Sequence, residues 1–121
     1  MGLMQDLNEN QLNLKVREEK GTLRVAWQGK SNDRNPAVYL NPFFEELAKN
    51  ALSHSKKIEM DFSELQYMNS STITPVVQLL DRAREEGLEV SLLYDKNKSW
   101  QEISFTAMSI FESDLIKISP I

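Results

Sequence analysis

Apolar and polar residues alternate in five short segments of this chain, which is the pattern of strands with one buried face. The first two segments are separated by the turn-forming residues 18–21, so together they predict a β-hairpin. The predicted strands are 12–16, 23–27, 58–62, 88–93 and 115–118.

Apolar residues recur every three or four positions in three further segments, which predicts helices with one buried face. The first helix is predicted to begin at Asn41, because Asn is a favoured N-cap and Pro42 suits the first helical position. The second covers 76–86 and ends at Gly87, a typical C-terminal residue. For the third, residues 99–102 have the Ser-x-x-Glu pattern of a capping box.

The predicted element order is β-β-α-β-α-β-α-β. Strands separated by helices pair in parallel through right-handed crossovers, so this order predicts one mixed sheet of about five strands with helices packed on it. The 121 residues suffice for one α/β domain, which we assign to residues 12–121. Residues 1–11 are polar overall and are expected to form a flexible N-terminal lead.

Charge and composition narrow the class of function. The net charge is −4 and there is no concentrated basic run, which argues against nucleic acid as the main partner. The absence of cysteine excludes disulfides and a thiol nucleophile. No apolar run approaches the ~20 residues of a membrane span, so we expect no membrane insertion and a cytoplasmic location.

Residue types that carry catalysis or bind metals are sparse. The single histidine, His54, falls at the predicted end of the first helix, where the helix dipole favours a solvated imidazole. No pair of histidines has metal-ligand spacing, and Gly29-Lys30-Ser31 lacks the earlier glycine of a phosphate-binding loop. We therefore expect no catalytic residue, no metal and no cofactor.

Hydrogen-bonding side chains cluster where the third predicted strand leads towards the second helix, at Asn69, Ser70, Ser71 and Thr72. One interpretation is an ordinary helix cap, for which these residue types are favoured. The other is a phosphorylation site: because a helix N-terminus tolerates an anion, a phosphate there would change partner docking rather than folding. The residue types alone leave both interpretations open.

From about residue 12 onward the sequence resembles the STAS domain of bacterial anti-sigma factor antagonists. The similarity lies in Asp-Phe-Ser-Glu-Leu at 61–65, Tyr-Met-Asn-Ser-Ser at 67–71 and an apolar helix ending at Gly87. The resemblance implies that the second hydroxyl residue, Ser71, is phosphorylated by a Ser/Thr protein kinase of the histidine-kinase-like ATPase type. It also implies a metal-dependent serine phosphatase that reverses the modification.

The sequence departs from this family at two positions, since Asn69 stands where the family has Asp and Thr72 where it has Gly. These two residues are more similar to the pattern of a second group, the STAS-like bacterial regulators of aggregation and biofilm formation. That group also has a Gly-x-Ser, Asn-Pro and Pro segment, to which Gly29, Ser31, Asn35-Pro36 and Pro42 are similar. This resemblance implies phosphorylation of the residue directly after Asn, which is Ser70. It further implies an unphosphorylated form that binds and activates a diguanylate cyclase.

The resulting hypothesis is a non-catalytic signalling protein whose unphosphorylated form binds and regulates a target, either a diguanylate cyclase or an anti-sigma kinase. Two alternatives stay open: a structural STAS module of a larger assembly that is never phosphorylated, and a small-ligand or enzymatic domain with its site at the same corner. The predicted partner-binding residues are Asn69, Thr72, Ser31, Asn35 and Pro42.

Overall fold

The protein folds as one mixed sheet with three helices packed on it. The computed structural model describes residues 4–121. The strands are β1 (Leu7–Glu9), β2 (Leu12–Glu19), β3 (Thr22–Ser31), β4 (Lys57–Asp61), β5 (Leu65–Met68), β6 (Val90–Tyr94) and β7 (Ile116–Pro120). The helices are α1 (Ala37–Ser53), α2 (Ser70–Glu86) and α3 (Ser99–Met108), the last continued by a 3₁₀ turn at Ser109–Phe111.

The sheet combines an antiparallel meander with a parallel half. Strands β1, β2 and β3 pair antiparallel, and β3, β4, β6 and β7 follow one another in parallel. Since right-handed crossovers that all step in one direction place their helices on one face, the sheet has a covered face and an open face. Residues of β3 alternate accordingly, because Leu23, Val25 and Trp27 are buried whereas Arg24 and Gln28 are half-buried.

Aromatic side chains connect the sheet to the helices through the core. The ring of Trp27 on β3 lies 4.6 Å from that of Phe62 and 6.1 Å from that of Phe44 on α1. Phe62 in turn lies 4.8 Å from Phe105 on α3, which stacks on Tyr94 of β6 at 5.3 Å. Each such pair adds about 0.5–1.5 kcal/mol beyond simple burial, so this row fixes both helices relative to the sheet.

The α/β class, the hairpin and the parallel pairing are confirmed, and the strand count of about five is exceeded by β1 and β5. The prediction of a flexible lead is wrong for Leu7–Glu9, which forms β1. A left-handed Asn10 closes the turn to β2, and the carboxylate of Asp6 accepts a hydrogen bond of 2.8 Å from the N–H of Val16. Residues 1–3 of that lead lie outside the described residues.

Two predicted helix starts and the capping box are wrong. Helix α1 begins at Ala37 and α2 at Ser70, so Pro42 and Pro75 each lie inside a helix. A proline in the second turn removes one backbone hydrogen bond, and burial of the helix face outweighs that loss. The N-cap of α3 is Lys98, which makes no side-chain capping hydrogen bond.

Glycine 29 permits a close approach of two strand ends. Its φ is +85°, and a Cβ there would lie 1.9 Å from the carbonyl oxygen of Gln11, which already accepts a hydrogen bond from the N–H of Lys30. We predict that Gly29→Ala lowers the free energy of unfolding by at least about 3 kcal/mol, since both strain and a backbone clash result. Urea denaturation measures the change.

Glycine 87 provides the matched control for that substitution. Its φ is +73°, but a Cβ there would meet no atom within 4 Å. The Gly87→Ala variant should therefore lose only about 1 kcal/mol, the cost of a left-handed backbone alone. Equal losses in the two variants would contradict the backbone clash at Gly29.

Candidate functional site

The candidate site is the hydroxyl corner, residues 69–72, where β5 passes into α2. Asn69 is the N-cap of α2, with the extended backbone (φ −83°, ψ 170°) typical of that position. Its Oδ1 accepts hydrogen bonds from the N–H of Thr72 at 3.1 Å and from the Thr72 hydroxyl at 2.8 Å. One side-chain oxygen therefore fixes the start of the helix twice.

A buried pair of hydroxyls connects this corner to the end of β3. Thr72 Oγ1 lies 2.6 Å from Ser31 Oγ, and both residues have 0% exposed surface. Because the Thr72 hydroxyl donates to Asn69, the hydrogen between the two hydroxyls is donated by Ser31. The backbone N–H of Asn69 also donates to the Ser31 carbonyl at 3.0 Å. The corner is thus held rigidly on the sheet.

Asp33 connects the corner to α1. The Nδ2 of Asn69 donates a hydrogen bond of 2.7 Å to the Asp33 carbonyl, and the Asp33 carboxylate accepts hydrogen bonds from the Tyr39 hydroxyl and from Asn10. Burial, followed by the hydrogen bond and charge of Asp33, raises the pKa of Tyr39 above its ordinary value, so its hydroxyl remains a donor. An Asp at position 69 would have no N–H to donate to this carbonyl.

Ser70 and Ser71 are both exposed, whereas Asn69 is half-buried and Thr72 is buried. They are the first two residues of α2, where backbone N–H groups have no partner within the helix and the dipole favours negative charge. A phosphate on either hydroxyl would meet these donors and solvent rather than the core. The corner therefore separates hydroxyls that hold the structure from hydroxyls that are open to modification.

The other predicted partner-binding residues divide in the same way. Asn35 and Pro42 are exposed and could contact a partner, and Asn69 is half-buried. Ser31 and Thr72 are fully buried, so their prediction as partner contacts is corrected. Their hydroxyls satisfy each other and the cap, and they act on the surface only by holding it in place.

The sequence analysis missed two residues, of which one contacts the corner and the other holds the turn between β4 and β5 that precedes it. One is Asp33, described above, and the other is the fully buried Gln101 of α3. Its Nε2 donates to the carbonyls of Phe62 at 2.6 Å and Leu65 at 3.0 Å, and its Oε1 accepts from the N–H of Asp95 at 2.8 Å. A signal was present, because Gln101 precedes Phe105 by four residues on the buried stripe of α3.

Residues 4–121 contain no group of three or more His, Cys, Asp or Glu side chains placed to hold a metal ion. None of the described helices combines the length and apolar character needed to cross a bilayer. His54 is exposed at the end of α1, with its Nδ1 2.9 Å from the carbonyl oxygen of Asn50.

Comparison with solved structures identifies the fold. An anti-sigma factor antagonist from Mycobacterium paratuberculosis superposes with a TM-score of 0.68 at 14% identity, over 91% of this chain and 86% of that one. This likeness and the topology show that the chain has a STAS-like fold. No protein-family model and no curated protein matches the sequence.

Two structures of Pseudomonas aeruginosa also match. A chain of the complex between the diguanylate cyclase SiaD and its activator SiaC has a TM-score of 0.70 at 20% identity, covering 96% of this chain and 98% of that one. SiaC has a TM-score of 0.63 at 22% identity, over 98% of this chain and 100% of that one. The fold predicted from the family resemblance is therefore confirmed.

Removal of the Thr72 hydroxyl tests the buried part of the corner. In Thr72→Val, Ser31 loses its acceptor and Asn69 loses one donor, while side-chain volume is retained. We predict a loss of about 1–3 kcal/mol in the free energy of unfolding, the cost of leaving a buried polar group unpaired. Thr74→Val, at an exposed position of the same helix, should change it by less than about 0.5 kcal/mol. Indistinguishable denaturation curves for the two variants would contradict the network.

Proposed function

We propose that this protein is a phosphorylation-controlled partner switch with no catalytic role of its own. Its unphosphorylated form binds and regulates a target protein, and phosphorylation of Ser70 releases that target. The observation that carries the proposal is the exposure of Ser70, together with Ser71, on a corner whose remaining hydroxyl, that of Thr72, is buried and hydrogen-bonded to Ser31 and Asn69.

The physical effect of a phosphate at this position supports a switch of binding rather than of folding. A phosphate adds roughly −1.5 to −2 charges and three acceptor oxygens. At the first position of α2 it would face the helix dipole and free N–H groups, which stabilise an anion. A partner docked over Ser70 would instead meet added bulk and negative charge. The protein would therefore remain folded and lose its partner.

A diguanylate cyclase is the target that we favour. SiaC, which shares the fold over the whole described chain, is the activator of the diguanylate cyclase SiaD. The resemblance of the 29–42 segment and of Asn69-Ser70 to the biofilm and aggregation regulators supports the same choice. A Ser/Thr kinase of the histidine-kinase-like ATPase type and a metal-dependent serine phosphatase would set the state of Ser70.

A second candidate is an anti-sigma factor antagonist that binds an anti-sigma kinase. Its support is the fold likeness to the mycobacterial antagonist and the exposure of Ser71, the residue that the resemblance to that family implies as the phosphoacceptor. The two candidates differ in which serine is modified, so the modified residue decides between them.

A carboxylate at Ser70 tests the switch. We predict that Ser70→Asp weakens binding of the target at least tenfold, because its charge lies where the partner docks, whereas Ser70→Ala keeps the affinity. The target is the protein that co-purifies with Ser70→Ala from host cells, and calorimetry gives its affinity. The free energy of unfolding of Ser70→Asp should change by less than about 0.5 kcal/mol.

The matched control is Ser99→Asp, which places the same charge at the exposed first position of α3. It should leave both binding and stability unchanged. Full target binding by Ser70→Asp, or an equal loss in Ser99→Asp, would reject Ser70 as the switch.

A further inference from the structure

A groove runs between α1 and the N-terminal side of β1. We call it the α1 groove; its volume is about 620 Å³. Following α1 from Val38 to Glu46, it is roughly 12 Å long at 1.5 Å of rise per residue, the length of two helical turns. Its apolar lining consists of Met4, Leu7, Val38, Tyr39, Pro42 and Phe43.

Two apolar residues of this lining are exposed on the outer face of α1. Val38 is 68% exposed and Pro42 is exposed as well, although α1 buries Leu40 and Phe44 against the sheet. Isolated apolar side chains on a surface are ordinary, but these residues line one continuous depression. The groove therefore offers an apolar floor to a side chain or two from another segment.

The charges around the floor are negative. Glu46 lines the groove, and the Asp33 carboxylate accepts a hydrogen bond from the lining residue Tyr39. Among the described residues, neither lysine nor arginine lines the groove. A second copy of this chain, with a net charge of −4, would bring like charges to this rim, whereas a basic segment would be attracted.

We infer that the α1 groove docks a short apolar segment flanked by lysine or arginine, carried by the target protein. The inference rests on the proposed function in so far as a target exists, and it adds a second contact surface to the hydroxyl corner. Tyr39 belongs to the groove and contacts Asp33, which contacts Asn69, so the two surfaces adjoin. The groove supplies affinity that does not depend on phosphorylation, and the corner supplies control.

Photocrosslinking tests which occupant the groove takes. In the full-length chain, Val38 is replaced by p-benzoylphenylalanine, host cells are irradiated, and the crosslinked peptide is sequenced by mass spectrometry. The control is the same replacement of Ile103 on α3, which is 71% exposed. We expect a Val38 adduct to a different protein, at an apolar segment flanked by lysine or arginine, that is missing from the Ile103 sample.

Each other outcome overturns the inference. An adduct of Val38 with another copy of this chain would make the groove a self-association surface. An adduct with residues 1–3 would make it an internal contact of the chain. An adduct with an acidic or uncharged segment, or a pattern equal to that of the Ile103 control, would remove the charge complementarity or the site itself.

A peptide with the crosslinked sequence then allows quantitative tests. By fluorescence anisotropy, Val38→Lys should weaken its binding roughly tenfold and Glu46→Lys roughly threefold, while Ile103→Lys should have no effect. Equal affinity in all three variants would reject the groove as the binding site.

The Ser70→Asp variant separates this inference from the proposed function. It should still bind the peptide, because the peptide occupies only the groove, but it should lose the intact target. If it keeps the intact target, the switch is wrong and the groove stands. If the crosslinking or the peptide-binding result fails while Ser70→Asp still loses the intact target, the groove is wrong and the switch stands.

Discussion

The candidate site depends on the hydrogen bonds made by the side chain of Asn69. One amide group caps α2, accepts the hydroxyl of Thr72 and donates to the carbonyl of Asp33. It thereby joins the start of α2 to a segment 36 to 41 residues earlier in the chain, which runs from Ser31 at the end of β3 to Asp33 before α1. Since a carboxylate lacks the N–H donor, the amide of Asn suits this junction, where one side chain both accepts and donates.

Much of the fold could be predicted because its determinants are local. The alternation of apolar and polar residues predicted the main strands, and the helices between them predicted parallel pairing. Features that depend on tertiary partners were missed: β1 needs β2 beside it, and the helix starts ahead of Pro42 and Pro75 rely on packing of α1 and α2. The polar cluster at 69–72 could be recognised from its residue types, but the division between buried and exposed hydroxyls depends on Ser31, 41 residues away from Thr72.

The division between buried and exposed hydroxyls explains how the corner could change its surface without changing its fold. Hydroxyls held inside the protein keep the corner in one conformation, so a modification of the exposed serines changes charge and shape on the surface without cost to the core. The apolar α1 groove adjoins this corner through Tyr39 and Asp33. A partner that used both surfaces would combine steady affinity from one with regulation from the other.

The most direct test is site-resolved mass spectrometry of the protein isolated from its own cells under several growth conditions. The account predicts phosphate on Ser70, with an occupancy that varies with conditions and is lowest when the target co-purifies. Phosphate confined to Ser71 would favour the anti-sigma antagonist. The absence of phosphate from both Ser70 and Ser71 under every condition would contradict the switch and leave the corner as a helix cap.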